Sequence, residues 1–324
     1  MTNPTIQIGI LAYVGAQRAA IHGLADLFRV ANGRADYRAG PDIPRLAVRH
    51  FVETDGGEIE EAPASASGAG PLHALILPSS LEDVAEGPGR QGRHDWLRAR
   101  HGEGTLLASV CSGAFVLAQT GLLSGRRVTT HWASRERMEK LFPDIRVDAD
   151  KLLIDGGDIV TAGGLMAWTD LGLLLVERYL GHAIMLDTAR YLLIDPPGRE
   201  QRSYQTFLPP LLHGDEPILK VQHWLSKGFA GHVTVSRMAA LAGLEERTFL
   251  RRFTQATRLR PKDYLQQLRI SEARALLETS RIPVEAIART VGYEDSGAFR
   301  KVFIRTTGLK PGDYRQRFGR HAGA

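Results

Sequence analysis

The chain has 324 residues, 43% hydrophobic and 24% charged, a balance typical of a globular protein with about two domains. It holds no run of about 18 apolar residues, which excludes a membrane-spanning helix, and its single cysteine excludes an internal disulfide and a cysteine-rich metal site. The first residues lack the pattern of a signal peptide. We therefore expect a cytoplasmic protein that needs no metal and no cofactor.

The net charge of +5 is unevenly distributed along the chain. Residues 216–324 contain 20 Lys and Arg against 10 Asp and Glu, and the remainder contains 21 basic and 26 acidic residues. A basic module joined to a mildly acidic one predicts a polyanionic partner for the basic end. An ordinary solvated basic surface would give the same count.

Residues 1–192 alternate short apolar runs with amphipathic segments. The runs IQIGILAY, HALILP, TLLASV and DIVTAG predict buried strands, and segments such as GLADLFRVAN predict helices between them. This alternation predicts an α/β domain with a mostly parallel sheet and helices on both faces. The proline-bearing segment 193–215 has no clear period, so we interpret it as a linker.

Residues 216–324 are predicted to be entirely helical and contain an imperfect repeat. Equivalent residues lie 50 apart, or 49 apart before the turn of each copy: Phe253/Phe303, Pro261/Pro311, Tyr264/Tyr314 and Gly243/Gly292. The amphipathic segment LQQLRISEARALLET is predicted to be a helix joining the copies, with Leu265, Leu268, Ala275 and Leu276 on its apolar side.

Each copy is predicted to form a helix-turn-helix, over about 234–257 and about 283–307. The second helix of each should bury two phenylalanines four residues apart, Phe249 with Phe253 and Phe299 with Phe303. Arg247 and Arg251 then face outward on the first copy, and Gly297, Arg300 and Lys301 on the second. Two such cationic helices predict double-stranded DNA as the partner, although a plain helical bundle with solvated arginines has a similar pattern.

This region resembles the AraC/XylS family of transcription regulators, on RISEARALL, the VGY segment and the F…F…GxxPxxY endings, with Arg258 in place of the glycine in the first copy. The resemblance implies that the second helix of each copy enters the major groove at successive turns of promoter DNA. It also implies that the base-facing positions are Arg247, Leu250 and Arg251, then Gly297, Arg300 and Lys301. Leu250 can offer only apolar contacts, for example to a thymine methyl, and Gly297 offers no side chain.

The stretch SVCSGAF places Cys111 between a predicted strand, Leu106–Val110, and a helix. Small residues at Ser109 and Gly113 suit the sharp turn of a nucleophile elbow, and the positive end of the following helix is expected to lower the pKa of the thiol. His131 follows 20 residues later.

Residues 5–190 resemble the ThiJ/PfpI domains of the glutamine amidotransferase-like superfamily, in the version fused to AraC-type modules in GlxA-type regulators. The resemblance covers CxGxxxLAxxGLLxGRxxTTHW and implies a flavodoxin-like domain, residues 1–192, that senses a small metabolite such as an amino acid or quaternary amine and forms a homodimer. Three positions depart from enzymes of the superfamily: Ser112 replaces a histidine, Asp26 a glutamate, and Ser79–Ser80 a glycine-rich loop.

Three roles for Cys111 stay open: a structural cysteine lining a pocket, which we favour, a redox sensor, and a catalytic nucleophile. His131 is either a hydrogen-bonded residue beside Trp132 or a ligand contact. We name Cys111, His131, Asp26 and Ser112 as pocket candidates and no catalytic residue.

The whole chain is therefore predicted to be a DNA-binding transcription regulator, an activator working with RNA polymerase, and not an enzyme. The alternatives are a cysteine-dependent amidase or glyoxalase-like enzyme and a thiol redox sensor with a regulatory DNA-binding tail.

Overall fold

The computed structural model describes residues 4–39, 43–54, 56–63, 70–82 and 91–320. The chain divides into two compact units, residues 1–201 and 202–324. Within the described ranges, no helix combines the length and the apolar character that a bilayer crossing requires.

The first unit is built on a seven-stranded sheet. Its strands are β1 (Thr5–Ala12), β2 (Arg45–Glu53), β3 (Ile59–Glu61), β4 (Ala74–Leu77), β5 (Leu106–Val110), β8 (Leu153–Asp155) and β9 (Ile159–Ala162), in the order β3-β2-β1-β4-β5-β9-β8. Strands β6 (Arg127–Val128) and β7 (Arg146–Val147) pair separately. The five inner strands of the large sheet are parallel, and β3 and β8 add antiparallel edges. The inner order is that of flavodoxin-like folds, so the predicted fold class is confirmed.

Helices cover both faces of this sheet because successive residues of a strand point to opposite sides. Ile76 packs in one hydrophobic cluster, and its neighbours Leu75 and Leu77 pack in the other. Residues of α1 (Arg18–Ala39), α5 (Trp168–Leu180) and α6 (His182–Leu192) belong to the first cluster. Residues of α2 (Gln91–Gly102), α3 (Gly113–Gln119) and α4 (Arg135–Leu141) belong to the second.

The second unit is helical, as predicted, in the part that the structure describes. It comprises α7 (Glu216–Gly228), α8 (Val235–Ala242), α9 (Glu246–Thr257), α10 (Pro261–Thr279), α11 (Val284–Thr290), α12 (Ser296–Thr307) and α13 (Pro311–Phe318). Two separate hydrophobic clusters form, one around Phe249 and Phe253 and one around Phe299 and Phe303. Helix α10 contributes residues to both clusters and so joins the two repeats physically.

The predicted apolar side of α10 needs a correction. Ala275 is exposed, and the fully packed positions toward the C-terminal end of the helix are Ile270, Ala273 and Leu277. Arg274 is buried beside them. The helix has to serve two cores on different faces, which a single apolar stripe does not describe.

Candidate functional site

The first helix-turn-helix is formed by α8 and α9. Gly243 closes α8 in the left-handed region, with φ of +66°, where a glycine avoids the steric cost that a side chain would bring. Phe249 and Phe253 on α9 have no exposed surface. Their burial fixes the rotation of α9 and turns its opposite face toward solvent.

That opposite face carries the three predicted residues of the first copy. Arg247, Leu250 and Arg251 are all exposed, and Leu250 leaves 40% of its surface to solvent although it is aliphatic. Within the described residues, neither Arg247 nor Arg251 forms an ion pair or a hydrogen bond. The first copy therefore presents two uncompensated guanidinium groups beside an exposed aliphatic side chain.

The second helix-turn-helix repeats this arrangement with α11 and α12. Phe299 and Phe303 are completely buried, and Gly297, Arg300 and Lys301 are exposed. The guanidinium of Arg300, however, is paired with the carboxylate of Glu285 on α11. This copy thus offers less free positive charge than the first.

Ile304 is a residue of this face that the sequence reasoning missed. It follows Arg300 by one helical turn and is 40% exposed, the same fraction as Leu250. The available signal was the i, i+4 spacing from Arg300, which places both side chains on one side of the helix.

Cys111 sits at the end of β5 in a strained turn. Its φ is +53°, in the left-handed region that residues with a side chain rarely adopt, and its N–H donates to the carbonyl of Ala162 on β9. A Cβ at Gly113 would lie 2.5 Å from the carbonyl oxygen of Leu77 and 2.8 Å from that of Pro78, so only glycine fits there. The predicted elbow geometry is present.

The thiol of Cys111 differs from the prediction in its acidity. The residue is buried, and burial raises the pKa of the thiol; this effect outweighs hydrogen bonds from the Ser79 hydroxyl and from the N–H groups of Ser112 and His131, which lower it. The prediction that the following helix lowers the pKa of this thiol was wrong, because desolvation destabilises the thiolate more than these hydrogen bonds stabilise it. The thiol is protonated at neutral pH.

His131 lies beside this thiol but is not arranged as a general base. Its Nδ1 accepts a hydrogen bond from the N–H of Ala133 at 3.2 Å, and burial lowers the pKa of the imidazole. In a triad, Nδ1–H donates to a carboxylate and Nε2 takes the proton. Here the Nδ1 lone pair is occupied, so the neutral ring carries its proton on Nε2 and acts as a donor. The ring also packs against Trp132, with centroids 5.4 Å apart.

The polar groups of the loop after β4 are also occupied by hydrogen bonds within the first unit. The N–H of Ser80 donates to Oγ of Ser112 at 2.7 Å, and the carbonyl of Ser79 accepts from the N–H of Gln17 at 2.7 Å. Ser112 therefore holds the loop in place, and the Ser80 N–H is not available to an oxyanion. Asp26 is exposed on α1, and no contact with Cys111 is found for it in the described part of the chain. The structure brings together Cys111, Ser112 and His131 but not Asp26.

Four exposed apolar side chains surround this end of the sheet, where parallel strands terminate. Val14 follows β1, Leu81 follows β4, and Leu165 and Met166 follow β9; we call these four residues the apolar rim. No cluster of three or more metal-binding side chains occurs among the residues whose placement is described. In open α/β sheets, ligands bind beyond the carboxyl ends of the strands, which is where the apolar rim lies.

Comparison with known proteins matches each unit to a different family. Residues 88–178 match the DJ-1/PfpI family, and residues 238–317 match a helix-turn-helix domain. The HTH-type transcriptional regulator GbdR of Pseudomonas aeruginosa (strain UCBPP-PA14) is 25% identical over 222 residues, which is 68% of this chain and 60% of GbdR. The HTH-type transcriptional regulator GlxA of Rhizobium meliloti (strain 1021) is 28% identical over 229 residues, 70% of each chain.

Among solved structures, an AraC family transcriptional regulator from Pseudomonas putida is 20% identical, with a TM-score of 0.44, and the match covers 58% of this chain and 99% of that one. The alignment with GbdR leaves 40% of that regulator unmatched. The two family matches and the regulators that share them lead to one assignment. The chain combines a DJ-1/PfpI domain with an AraC-type helix-turn-helix domain.

Proposed function

We propose that this protein is a sequence-specific DNA-binding transcription regulator that responds to a small metabolite bound in its first unit. The observation that carries the proposal is the duplicated outer face: α9 and α12 each bury a phenylalanine pair and expose basic residues on the opposite side, with Arg251 and Lys301 at equivalent positions. An α-helix fits the major groove, where arginine can pair with guanine edges or phosphates. GbdR and GlxA carry regulator names.

The two copies contribute differently in this proposal. Arg247 and Arg251 are free to contact bases, and Leu250 offers an apolar surface to a thymine methyl. On α12, Gly297 has no side chain and Arg300 is paired, so Lys301 carries most of the attraction to phosphate. The first copy supplies most of the sequence preference, and the second supplies mainly affinity.

The effector site in this proposal is the crevice near Cys111, enclosed by the apolar rim. Three polar atoms there lack a partner among the described residues: the Nε2–H of His131, the buried indole N–H of Trp168, and the buried amide oxygen of Gln17. Two donors match a carboxylate, and one acceptor matches an ammonium group. An amino acid or amine with an apolar part fits this set, and Cys111 serves as a wall of the site.

The regulator is proposed to act as a homodimer that activates transcription together with RNA polymerase. Two copies of the DNA module on one promoter would multiply the specificity of each. Effector binding would change the geometry in which these modules are presented, through different affinities for the two states.

Selection of duplexes from a random pool, followed by fluorescence anisotropy, tests the DNA-binding part. We expect the wild type to prefer the selected duplex over random duplex by at least about 1,000-fold. Lys301→Ala should reduce affinity for both duplexes and lower the salt slope by about 1, whereas Leu250→Ala should relax sequence preference and leave the slope unchanged. Lys140→Ala removes one exposed cation from the first unit and is the matched control. Equal binding of all duplexes would contradict the proposal.

Thermal-shift measurements test the effector part, because a ligand that binds the native state raises Tm. Each amino acid of a panel is compared with two fragments: the amine that lacks its carboxylate and the carboxylic acid that lacks its amino group. We expect amino acids to raise Tm more than either fragment, and His131→Phe to remove the difference between the acid and the amine. A chain whose Tm responds to none of these compounds would contradict the proposed effector class.

A further inference from the structure

Gln201, the last residue of the first unit, is tightly held by its side chain. It is 3% exposed, and its amide nitrogen lies 3.1 Å from the Thr129 hydroxyl, 2.9 Å from the Thr130 carbonyl and 3.0 Å from the Lys151 carbonyl. Its amide oxygen accepts from the N–H of Trp132 at 3.2 Å. Both ends of the amide are therefore used by one short stretch, residues 129–132, and by Lys151.

That stretch is also the wall of the proposed effector site. The hydroxyl of Thr130 donates to the carbonyl of Cys111 at 2.9 Å, and the N–H of His131 reaches the Cys111 thiol. A ligand that contacts His131 would act on a residue whose two neighbours, Thr130 and Trp132, are hydrogen-bonded to Gln201.

The residues after Gln201 are held just as closely, but within the second unit. The Arg202 carbonyl accepts from Nη2 of Arg274 at 2.9 Å, and the Gln205 carbonyl accepts from the other terminal nitrogen of the same guanidinium. Arg274 is 9% exposed and stacks over Tyr314. It belongs to α10, the helix that joins the two helix-turn-helix copies.

We infer that Gln201 is a positioning residue that couples the effector site to the DNA-binding unit. The inference rests on the proposed function and adds the path by which effector binding would reach the DNA-binding unit. The two sets of hydrogen bonds are made by consecutive residues, Gln201 and Arg202, which a single peptide bond joins. A shift of residues 129–132 on effector binding displaces Gln201, and the peptide bond passes that displacement to a carbonyl fixed on α10.

Coupling between two sites is reciprocal, so it can be measured without knowing the effector. DNA bound to the second unit should alter the surroundings of Cys111, and Cys111 is the single cysteine in the sequence. The probe is iodoacetamide, whose reaction rate with the native protein is followed by mass spectrometry with and without a saturating selected duplex. In the wild type we expect the duplex to change this rate by about fivefold or more.

Two changes should abolish this response while leaving DNA binding within about twofold of the wild-type Kd. Gln201→Ala removes the amide contacts. Insertion of Gly-Ser-Gly-Ser between Gln201 and Arg202 keeps both sets of hydrogen bonds and adds flexible chain, so it tests the idea even if the substitution impairs folding. Lys151→Ala is the matched control: it breaks the exposed pair with Glu200 but keeps the backbone carbonyl that Gln201 uses, and the response should persist.

Two results would overturn the inference. One is a wild type that binds the selected duplex but shows an unchanged labelling rate, which would leave DNA binding intact and remove the coupling. The other is a response that survives the Gly-Ser insertion, because transmission would then not pass through this peptide bond.

Discussion

The guanidinium of Arg300 on α12 is paired with the carboxylate of Glu285 on the preceding helix, whereas the outer face of α9 in the first copy has no such pair with any residue that the structure describes. Both side chains are about half exposed, so the pair contributes little to stability. Its effect on binding is larger, because a phosphate must compete with Glu285 for the same cation.

Glu285→Gln should therefore strengthen DNA binding. We expect affinity to rise by about two- to fivefold, in line with the strength of an exposed ion pair, and the salt slope to steepen by up to about 0.9. The effect should vanish in the Arg300→Ala background, measured by anisotropy as a double-mutant cycle. Unchanged or weaker binding by Glu285→Gln would show that Arg300 does not face the phosphates.

The repeat also predicts a stabilising substitution at the start of α9. Asp295 caps α12 by accepting from the N–H groups of Gly297 and Ala298 at 2.9 and 3.0 Å, but its counterpart Glu245 makes no capping hydrogen bond. Glu245→Asp should add a cap worth roughly 0.5–1 kcal/mol and slow amide hydrogen exchange across α9. Glu246→Asp, one position later, is the control, and equal protection in both variants would contradict the capping explanation.

Asp215 predicts a pH dependence of α7. Its carboxylate accepts from Nε and Nη2 of Arg252 at 2.9 and 2.7 Å and caps α7 through the N–H of Ile218. The Arg252 guanidinium, more than the cap, lowers the pKa of Asp215 below its usual value. A lowered folded-state pKa gives stability that is complete above the unfolded pKa of about 3.9 and is lost as pH falls through the folded value.

Hydrogen exchange of α7, corrected for intrinsic rates, should therefore show protection falling below about pH 4 in the wild type. Asp215→Asn retains the capping oxygen and loses the charge, so its protection should be lower at neutral pH and nearly constant across this range. A variant that follows the wild-type pH profile would assign the effect to another carboxylate.

Cys111 should react slowly, because burial raises the pKa of its thiol. Alkylation by iodoacetamide at pH 7.5 should be at least about tenfold slower in the native protein than in urea, since the thiolate is the nucleophile. Ser79→Ala removes a donor that stabilises the thiolate and should slow the reaction further. A native rate equal to the unfolded rate would contradict this prediction and favour the redox-sensor interpretation.

The sequence predicted the strands that are buried on both faces and the helices that bury a single face. Strands β1, β4, β5 and β9 are buried on both faces and appear as continuous apolar runs. Strand β2 was missed because most of its residues are half-buried and it mixes charged with apolar residues, so it contains no continuous apolar run. Strands β3 and β8 are too short to show a periodic pattern. The phenylalanine pairs were predicted correctly because their i, i+4 spacing allows one inward face.

The site was predictable only in part, since its chemistry depends on burial and on contacts distant in sequence. The elbow at Cys111 follows from the small residues around it, but the direction of its pKa shift follows from desolvation that no local pattern reveals. Nothing in the sequence distinguishes Gln201 and Arg274 from other polar residues, because their partners lie about 70 positions away. Asp170 is likewise 1% exposed and paired with Arg199, 29 positions later in the chain.

The most direct test of the central claim is a hydroxyl-radical footprint of the full chain on a selected duplex. If α9 and α12 each enter a major groove, every DNA-binding unit should protect two segments centred about 10 base pairs apart, one helical turn. Arg247→Ala should reduce the protection of nucleotides in one segment, and Lys301→Ala should reduce it in the other. A single protected segment, or two segments that respond equally to both substitutions, would contradict the account.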